Sequence, residues 1–262
     1  ISAAKIDQYG LLPRGAMIEG ARRAAAAKAQ RYCIVISGRS PLEREITEIS
    51  EAVRAIKQEI PIQVCCSLGL LNEAQAKRLK AAGVDRINHN LNTSEAYHAS
   101  ICTTHTFRDR LTTIRHAQAA GLEICSGGIV GMGESDHDII DLALALREVK
   151  PHSIPLNMLH PVAGTPLEQC NHLTPQRCLR VLSLFRFLHP RTEIRVAGGR
   201  EFSLRTLQPL ALYAADSIFV GGYLTTPGQP ASEAWKMIED LGFEIEVNYE
   251  SAVQQNGQPQ VH

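Results

Sequence analysis

"GAMIEGARRAAAAKAQ" at residues 15–30 runs straight into "RYCIVISG" at residues 31–38, and the order of these two pieces decides the fold. The first is built from Ala, Arg, Glu and Lys with scattered apolar residues, the composition of a helix. The second is a short β-branched apolar run closed by Ser and Gly, which reads as a strand. The alternation then continues to the end of the chain. "PIQVCCSLG", "DRINHNLN", "EICSGGIVG", "HSIPLNML", "EIRVAGG" and "SIFVGGY" bring the strand candidates to seven. Between them lie the helical segments "PLEREITEISEAVRAIKQE", "NEAQAKRLKAAG", "TFRDRLTTIRHAQAAG", "SDHDIIDLALALREVK", "TPQRCLRVLSLFRFLHP" and "PASEAWKMIEDLG". Their ends carry the expected signals: an Asn cap and a closing Gly in one, Thr followed by Pro at the first helical position in another.

In an eight-stranded βα barrel every helix follows a strand, so a helix standing ahead of seven strands reads as eight units without the first strand. The rival is an open doubly wound sheet. No GxGxxG follows the first strand, and the even spacing of units favours the barrel. The predicted fold is α/β, a TIM-type (βα)8 barrel with seven of its eight strands present, one domain over residues 1–246. The polar tail at residues 247–262 is expected to be disordered.

Composition excludes several classes. Lys plus Arg and Asp plus Glu are each 27 in 262 residues, leaving no basic excess for nucleic acid or a membrane surface. No apolar run approaches the roughly 18 residues of a membrane helix, and the opening "ISAAKIDQYG" is not a signal peptide, so a cytoplasmic protein is expected. Seven cysteines without an export signal point to metal or redox use rather than disulfides.

Cys33 lies in the first visible strand, Cys65 and Cys66 in the second, Cys125 in the fourth; Cys102 falls in a strand-to-helix loop. Any one of them reads first as a small buried hydrophobe. On separate parallel strands, however, inward side chains meet about one axis. Asn88, Asn90 and Asn92 share one strand face with His89 opposite, and Asn157 and Arg195 add further polar groups to predicted strands. Such groups suit a polar ligand cavity opening at the C-terminal strand ends. "GGIVGMGE" has the pattern GxIxGxxE, with Gly127, Ile129, Gly131 and Glu134. The glycines allow a flat ligand near the backbone with Ile129 against it. The plainer alternative is a glycine-rich turn, with Glu134 a helix N-terminal acid. There is no HExxH, and His105, His116 and His137 read as solvated.

"INHNLNTSEAYH", "TTHTFRDRL", "EICSGGIVGMGE", "PLNMLHPVAGTPL", "IRVAGGRE" and "SIFVGGYLTT" span most of the chain. Together and in this order they resemble the biotin synthase family of radical S-adenosylmethionine (SAM) enzymes. The resemblance implies a TIM-type barrel, a homodimer, and sulfur insertion into dethiobiotin. It also implies a 4Fe-4S cluster that cleaves SAM, a 2Fe-2S cluster that supplies the sulfur, and an electron-donor flavoprotein or ferredoxin. Carried over by position, Cys33, Cys65 and Cys125 match the thiolate ligands of the 2Fe-2S cluster and Arg195 its arginine ligand, while Cys66 is left to packing. Asn90 and Asn92 match the SAM ribose contacts, Arg110 the SAM carboxylate contact, and the stretch from Gly127 to Glu134 the adenine side. Asn88 and Asn157 match the dethiobiotin site, and Tyr223 to Thr226 the closing edge of that pocket.

Two departures stand out. The family more often has Asp where this sequence has Asn92. The CxxxCxxC motif of the 4Fe-4S cluster is absent. Since the first strand and an initiator Met are absent as well, an N-terminal segment is expected to precede the sequence and to carry them. The rival functions are a related radical SAM barrel acting on another substrate and a truncated, non-catalytic cluster-binding homologue; the quartet Cys33, Cys65, Cys125 and Arg195 discriminates against the first.

Overall fold

The computed structural model describes residues 10–170, 172–220 and 228–246. Strands β1 (Arg31–Val35), β2 (Gln63–Ser67), β3 (Arg86–Asn88), β4 (Glu123–Cys125), β5 (Gly128–Val130), β6 (Ser153–Met158), β7 (Glu193–Val196) and β8 (Ser217–Ile218) form one sheet in which every pair is parallel. The order is β1-β2-β3-β4-β6-β7-β8, with β5 also on β6. Thus β4 and β5 are two halves of the single expected fourth strand. The break sits at Ser126 and Gly127, opposite Pro155 of β6. Proline has no N–H to donate, so the ladder lapses there and resumes in the same register at Gly128↔Leu156. Only glycine fits at 127, because a Cβ would lie 1.9 Å from the Pro155 carbonyl oxygen.

The sheet is strongly curled. Along its path β1 and β7 are five strand spacings apart, about 24 Å if the sheet were flat. Yet Arg31 of β1 is 3.5 Å from Glu193 of β7, and Arg86 of β3 is 3.1 Å from the same carboxylate. Those contacts cross the interior of a barrel.

Helices α1 (Arg14–Ala26), α2 (Glu43–Glu59), α3 (Glu73–Ala82), α4 (Glu95–Ile101), α5 (Phe107–Ala119), α6 (Asp136–Val149), α7 (Pro175–Leu188), α8 (Arg200–Leu204), α9 (Gln208–Ala211) and α10 (Ala231–Asp240) accompany the strands. Several start on the expected caps: Asn72, Thr106, Ser135 and Thr174 each accept an N–H of the first turn, and Pro175 opens α7. Gly83 closes α3 in the left-handed conformation. Unexpected were α4 and the short pieces α8 and α9. Ser94 caps α4 and also donates to Asp138 at 2.5 Å, so a tertiary contact supports a helix too short to be stable alone.

The outward faces of the strands, including Ile34, Val64, Cys66, Ile87, Ile124, Ile154, Ile194 and Val196, form the apolar core with the helices. Cys33, Cys65 and Cys125 are not among them. Residues 223–226 and the tail at 247–262 lie outside the described residues.

Candidate active site

The alternation of strand side chains assigns the inner face. In register, Cys33 stands beside Cys65, Asn88 beside Cys125, Cys125 beside Ser153, and Pro155 beside Arg195. Three thiols and one guanidinium therefore meet inside the barrel from β1, β2, β4 and β7. Cys33 and Cys65 share a hydrogen bond, Arg195 and Arg86 act electrostatically on both Cys65 and Cys125, and Asn88 Nδ2 points at Cys125 Sγ from 3.8 Å.

As free thiols Cys65 and Cys125 hold their protons. The hydrogen bond that the Cys65 thiol makes to Cys33, then burial, raise Cys65 well above the ordinary thiol range, and burial chiefly, with Cys65, pushes Cys125 to about 12. Binding a soft cation must displace those protons, and the positive charge of Arg195 and Arg86 opposes the rise.

Arg195 is itself held. Its Nε donates to Ser217 Oγ at 3.0 Å, its terminal nitrogen pairs with Glu193, and its guanidinium lies 5.4 Å over the Phe219 ring. Ser217 Oγ also donates to Glu193 at 2.7 Å. Burial raises the Glu193 pKa, but Arg195, Ser217 and Arg31 outweigh it and hold the group at about 2. Arg86 joins Glu193 to Glu123, donating to the latter from Nε at 2.9 Å and from Nη2 at 2.6 Å. This ionic floor of Arg31, Arg86, Glu123 and Glu193 was not anticipated. Its signal was strand parity, since Arg86 precedes Asn88 by two residues and Glu193 precedes Arg195 by two.

Above the thiols the amides knit the strand ends. β3 stops at Asn88, so Asn90 and Asn92 stand beyond it. Asn90 Oδ1 accepts from the Gly127 N–H at 3.1 Å, and its carbonyl accepts from Arg110 at 2.7 Å. Asn92 has φ 73°, a left-handed conformation that Asn tolerates well, and its backbone bridges Gly127 and Ile129. Asn157 accepts from the Gly198 N–H at 3.0 Å and donates to the Gly128 carbonyl at 3.3 Å. Glu134 accepts from the N–H groups of Gly131 and Met132, both at 2.7 Å, so it closes the glycine loop as well as preceding α6. Gly131 has φ 100°, where a side chain would be strained. Arg110 is half-buried, and its Nε is hidden from solvent without a partner.

Of the histidines read as solvated, only His137 is exposed. His116 bonds the Leu71 carbonyl at 2.9 Å, which ties α5 to the loop after β2, and His105 sits against Cys102. His89 is buried, and burial, then Arg110 and His105, hold it at about 3, hence neutral.

Residues 4–146 match the Radical SAM superfamily, and residues 155–244 match the Biotin and Thiamin Synthesis associated domain. Among solved structures, a methylornithine synthase shares the fold with a TM-score of 0.76 at 17% identity, covering 96% of this chain and 78% of that one. The FeFe-hydrogenase maturase of Carboxydothermus hydrogenoformans does so at 0.75 and 17%, covering 88% and 59%. Fold, thiol-lined interior and superfamily match together define a radical SAM barrel enzyme.

The sequence relationship is narrower. Biotin synthase of Bacillus subtilis is 53% identical over 246 residues, which is 94% of this chain and 73% of that protein. Those of Macrococcus caseolyticus and Rhodopirellula baltica are 55% identical over 243 residues and 52% over 245, covering 92% and 94% of this chain and 74% and 68% of theirs. The chain belongs to the biotin synthase family, a family of radical SAM sulfurtransferases that work with SAM and iron–sulfur clusters. Among the described residues, no helix is long and apolar enough to cross a membrane.

Proposed function

We propose that Cys33, Cys65, Cys125 and Arg195 hold a 2Fe-2S cluster within the barrel, and that this cluster donates sulfur to dethiobiotin. The observation that carries the reading is the convergence of two buried thiols, the half-buried thiol of Cys33 and one guanidinium, from four strands, on an inner face that the apolar core leaves out. The donor set fits the group, because thiolates are the soft ligands that iron–sulfur clusters take. A guanidinium is a hard and normally protonated partner, so its corner is weakly held, which suits a cluster consumed as a sulfur source.

When bound, SAM with a 4Fe-4S cluster supplies a carbon radical and the 2Fe-2S cluster supplies sulfide. The chain's own residues bind, orient and keep water out. Arg195 is kept in place by Glu193 and Ser217. Asn88, next to Cys125, and Asn157 present amides that match the donors and acceptors of a ureido ring. Asn90 and Asn92 take the SAM ribose, Arg110 pairs with the SAM carboxylate, and Gly127, Ile129, Gly131 and Glu134 shape the adenine side. The 262 residues contain no CxxxCxxC, so the 4Fe-4S ligands are assigned to residues outside them. The proposal further includes a single barrel unit over residues 1–246, a cytoplasmic homodimer, and reduction by a flavoprotein or ferredoxin.

Anaerobic reconstitution with iron and sulfide tests the ligand set. Mössbauer spectra of the unaltered enzyme should contain the 2Fe-2S signal, and Cys125→Ala should lose that signal alone. A 2Fe-2S signal that survives in both Cys125→Ala and Cys33→Ala would refute the assignment.

A further inference from the structure

A second group of metal-binding side chains stands away from the inner face. His98 lies on α4, Cys102 caps its C-terminus, and His105 follows in the connection to α5; their ligand atoms all lie within 4.8 Å of one another. The local chain explains the grouping. His98 and Cys102 are four residues apart and so share a helix face, and Cys102 then turns to extended backbone, φ −143° and ψ 123°, which brings His105 back beside it. Cys102 Sγ is 3.5 Å from His105 Nδ1 and 3.7 Å from Nε2. The His98 and His105 rings stand edge to face at 5.8 Å.

The second observation is an unmet need. His98 is only 3% exposed, and its Nε2 has no hydrogen-bond partner. A buried ring nitrogen left this way is destabilising unless a ligand takes its lone pair or its proton. Arg110, which acts electrostatically on both His98 and His105, likewise has a buried Nε without a partner. Packing alone does not answer the need: the edge contact of His98 with Phe107, 6.1 Å between centroids, satisfies the ring's faces and edges but not its nitrogen.

We infer that His98, Cys102 and His105 form a binding site for a thiophilic divalent cation of the zinc class. One thiolate and two imidazoles suit zinc, whose tetrahedral shell would keep a fourth position for water. Cys102 and His105 are partly exposed, which gives the ion a way in, while His98 supplies the buried anchor. Binding would link the end of α4 to the start of α5 through the metal. The inference does not depend on the assignment of the inner-face thiols.

Zinc K-edge X-ray absorption on the intact enzyme, with its iron–sulfur clusters in place, reads zinc without interference from iron. After equilibration with zinc and removal of the excess, about one zinc per chain is expected. Its shell should hold one sulfur near ~2.3 Å and nitrogen or oxygen near ~2.0–2.1 Å, with imidazole outer-shell scattering. Cys102→Ser, at a partly exposed position, should weaken zinc binding about 100-fold or more while iron and sulfide content stay constant, and His98→Gln should do the same. A shell of three or four sulfurs would place the zinc at the cluster cysteines and overturn the site. So would zinc bound equally well by both variants, or no zinc retained by the unaltered enzyme.

Discussion

Cys65 and Cys66 are adjacent in the chain, both buried, and both raised above the ordinary thiol range, yet they occupy different chemical worlds. Cys66 stands in register between Ile34 and Ile87 on the helix side of the sheet, within the apolar core. Cys65 stands on the other side, with Cys33, Arg86 and Arg195 as its neighbours. The same division runs around the whole sheet. Outward positions are Ile, Val, Leu and one Cys, with Tyr32, Gly128 and Met158, while inward positions are Arg31, Cys33, Gln63, Cys65, Ser67, Arg86, Asn88, Glu123, Cys125, Ser153, Asn157, Glu193, Arg195 and Ser217, with Val35, Ile129 and Pro155 the apolar exceptions. A barrel interior is ordinarily filled by branched apolar side chains. Here the outer layer with the helices carries the folding free energy, and the inner face is left free for chemistry. Burial does not separate a ligand cysteine from a packing cysteine; the neighbours do.

The largest test of that division is Cys65→Ala. Loss of an inner-face thiol should reduce biotin formation to background and deplete the enzyme of its 2Fe-2S signal, while far-UV circular dichroism and the thermal midpoint change little. An active Cys65→Ala enzyme would show that the inner face is not the site of sulfur transfer. Next in size is Glu193→Ala. This carboxylate is shared by Arg31, Arg86 and Arg195, and removing it leaves buried positive charge without its partner. The expected loss of unfolding free energy is about 3–5 kcal/mol, measured by anaerobic urea denaturation. A loss below about 1 kcal/mol would mean that the ionic floor is well hydrated and screened.

The same carboxylate gives a pH prediction. Its folded pKa is about 2 against an ordinary 4.5. The lowered value means that ionised Glu193 stabilises the fold, fully so above about pH 5. That stability is lost as the pH falls toward 2, and amounts to about 3 kcal/mol. Urea midpoints taken between pH 6 and pH 3 should fall for the unaltered protein more steeply than for Glu193→Gln. Parallel slopes would assign the acid sensitivity elsewhere.

The outer face was largely legible in the sequence because its determinants are local. Caps at Asn72, Thr106, Ser135 and Thr174 and the period of the apolar residues are read within one helix. The inner face was legible only in part. In "QVCCS" the polar Gln63, Cys65 and Ser67 alternate with Val64 and Cys66, so parity alone separates the two cysteines. The partners across the barrel are a different matter. Arg86 and Glu193 are 107 residues apart, and each alone reads as a charged strand end facing solvent. The break in the fourth strand has the same kind of cause, since it is set by Pro155 on the neighbouring strand. Helix α4 has no apolar period to announce it and depends on the Ser94 to Asp138 contact. Asn157 read as a ligand-facing amide, and in the structure its oxygen and one N–H already serve the backbone of Gly198 and Gly128.

Cys66→Ala has the smallest expected effect and sharpens the comparison most. It removes one buried sulfur from a packed apolar layer, at a cost of about 1 kcal/mol in unfolding free energy, since the cavity is no larger than a methylene or two. Cluster content and biotin formation should stay at the unaltered level. The pairing Cys33↔Cys65 in β1 and β2 is what separates this outcome from that of Cys65→Ala. A strand slipped by one residue would exchange the faces of the two thiols. Normal activity in Cys65→Ala together with cluster loss in Cys66→Ala would therefore be the signature of the opposite register, and the two variants measured side by side decide between them.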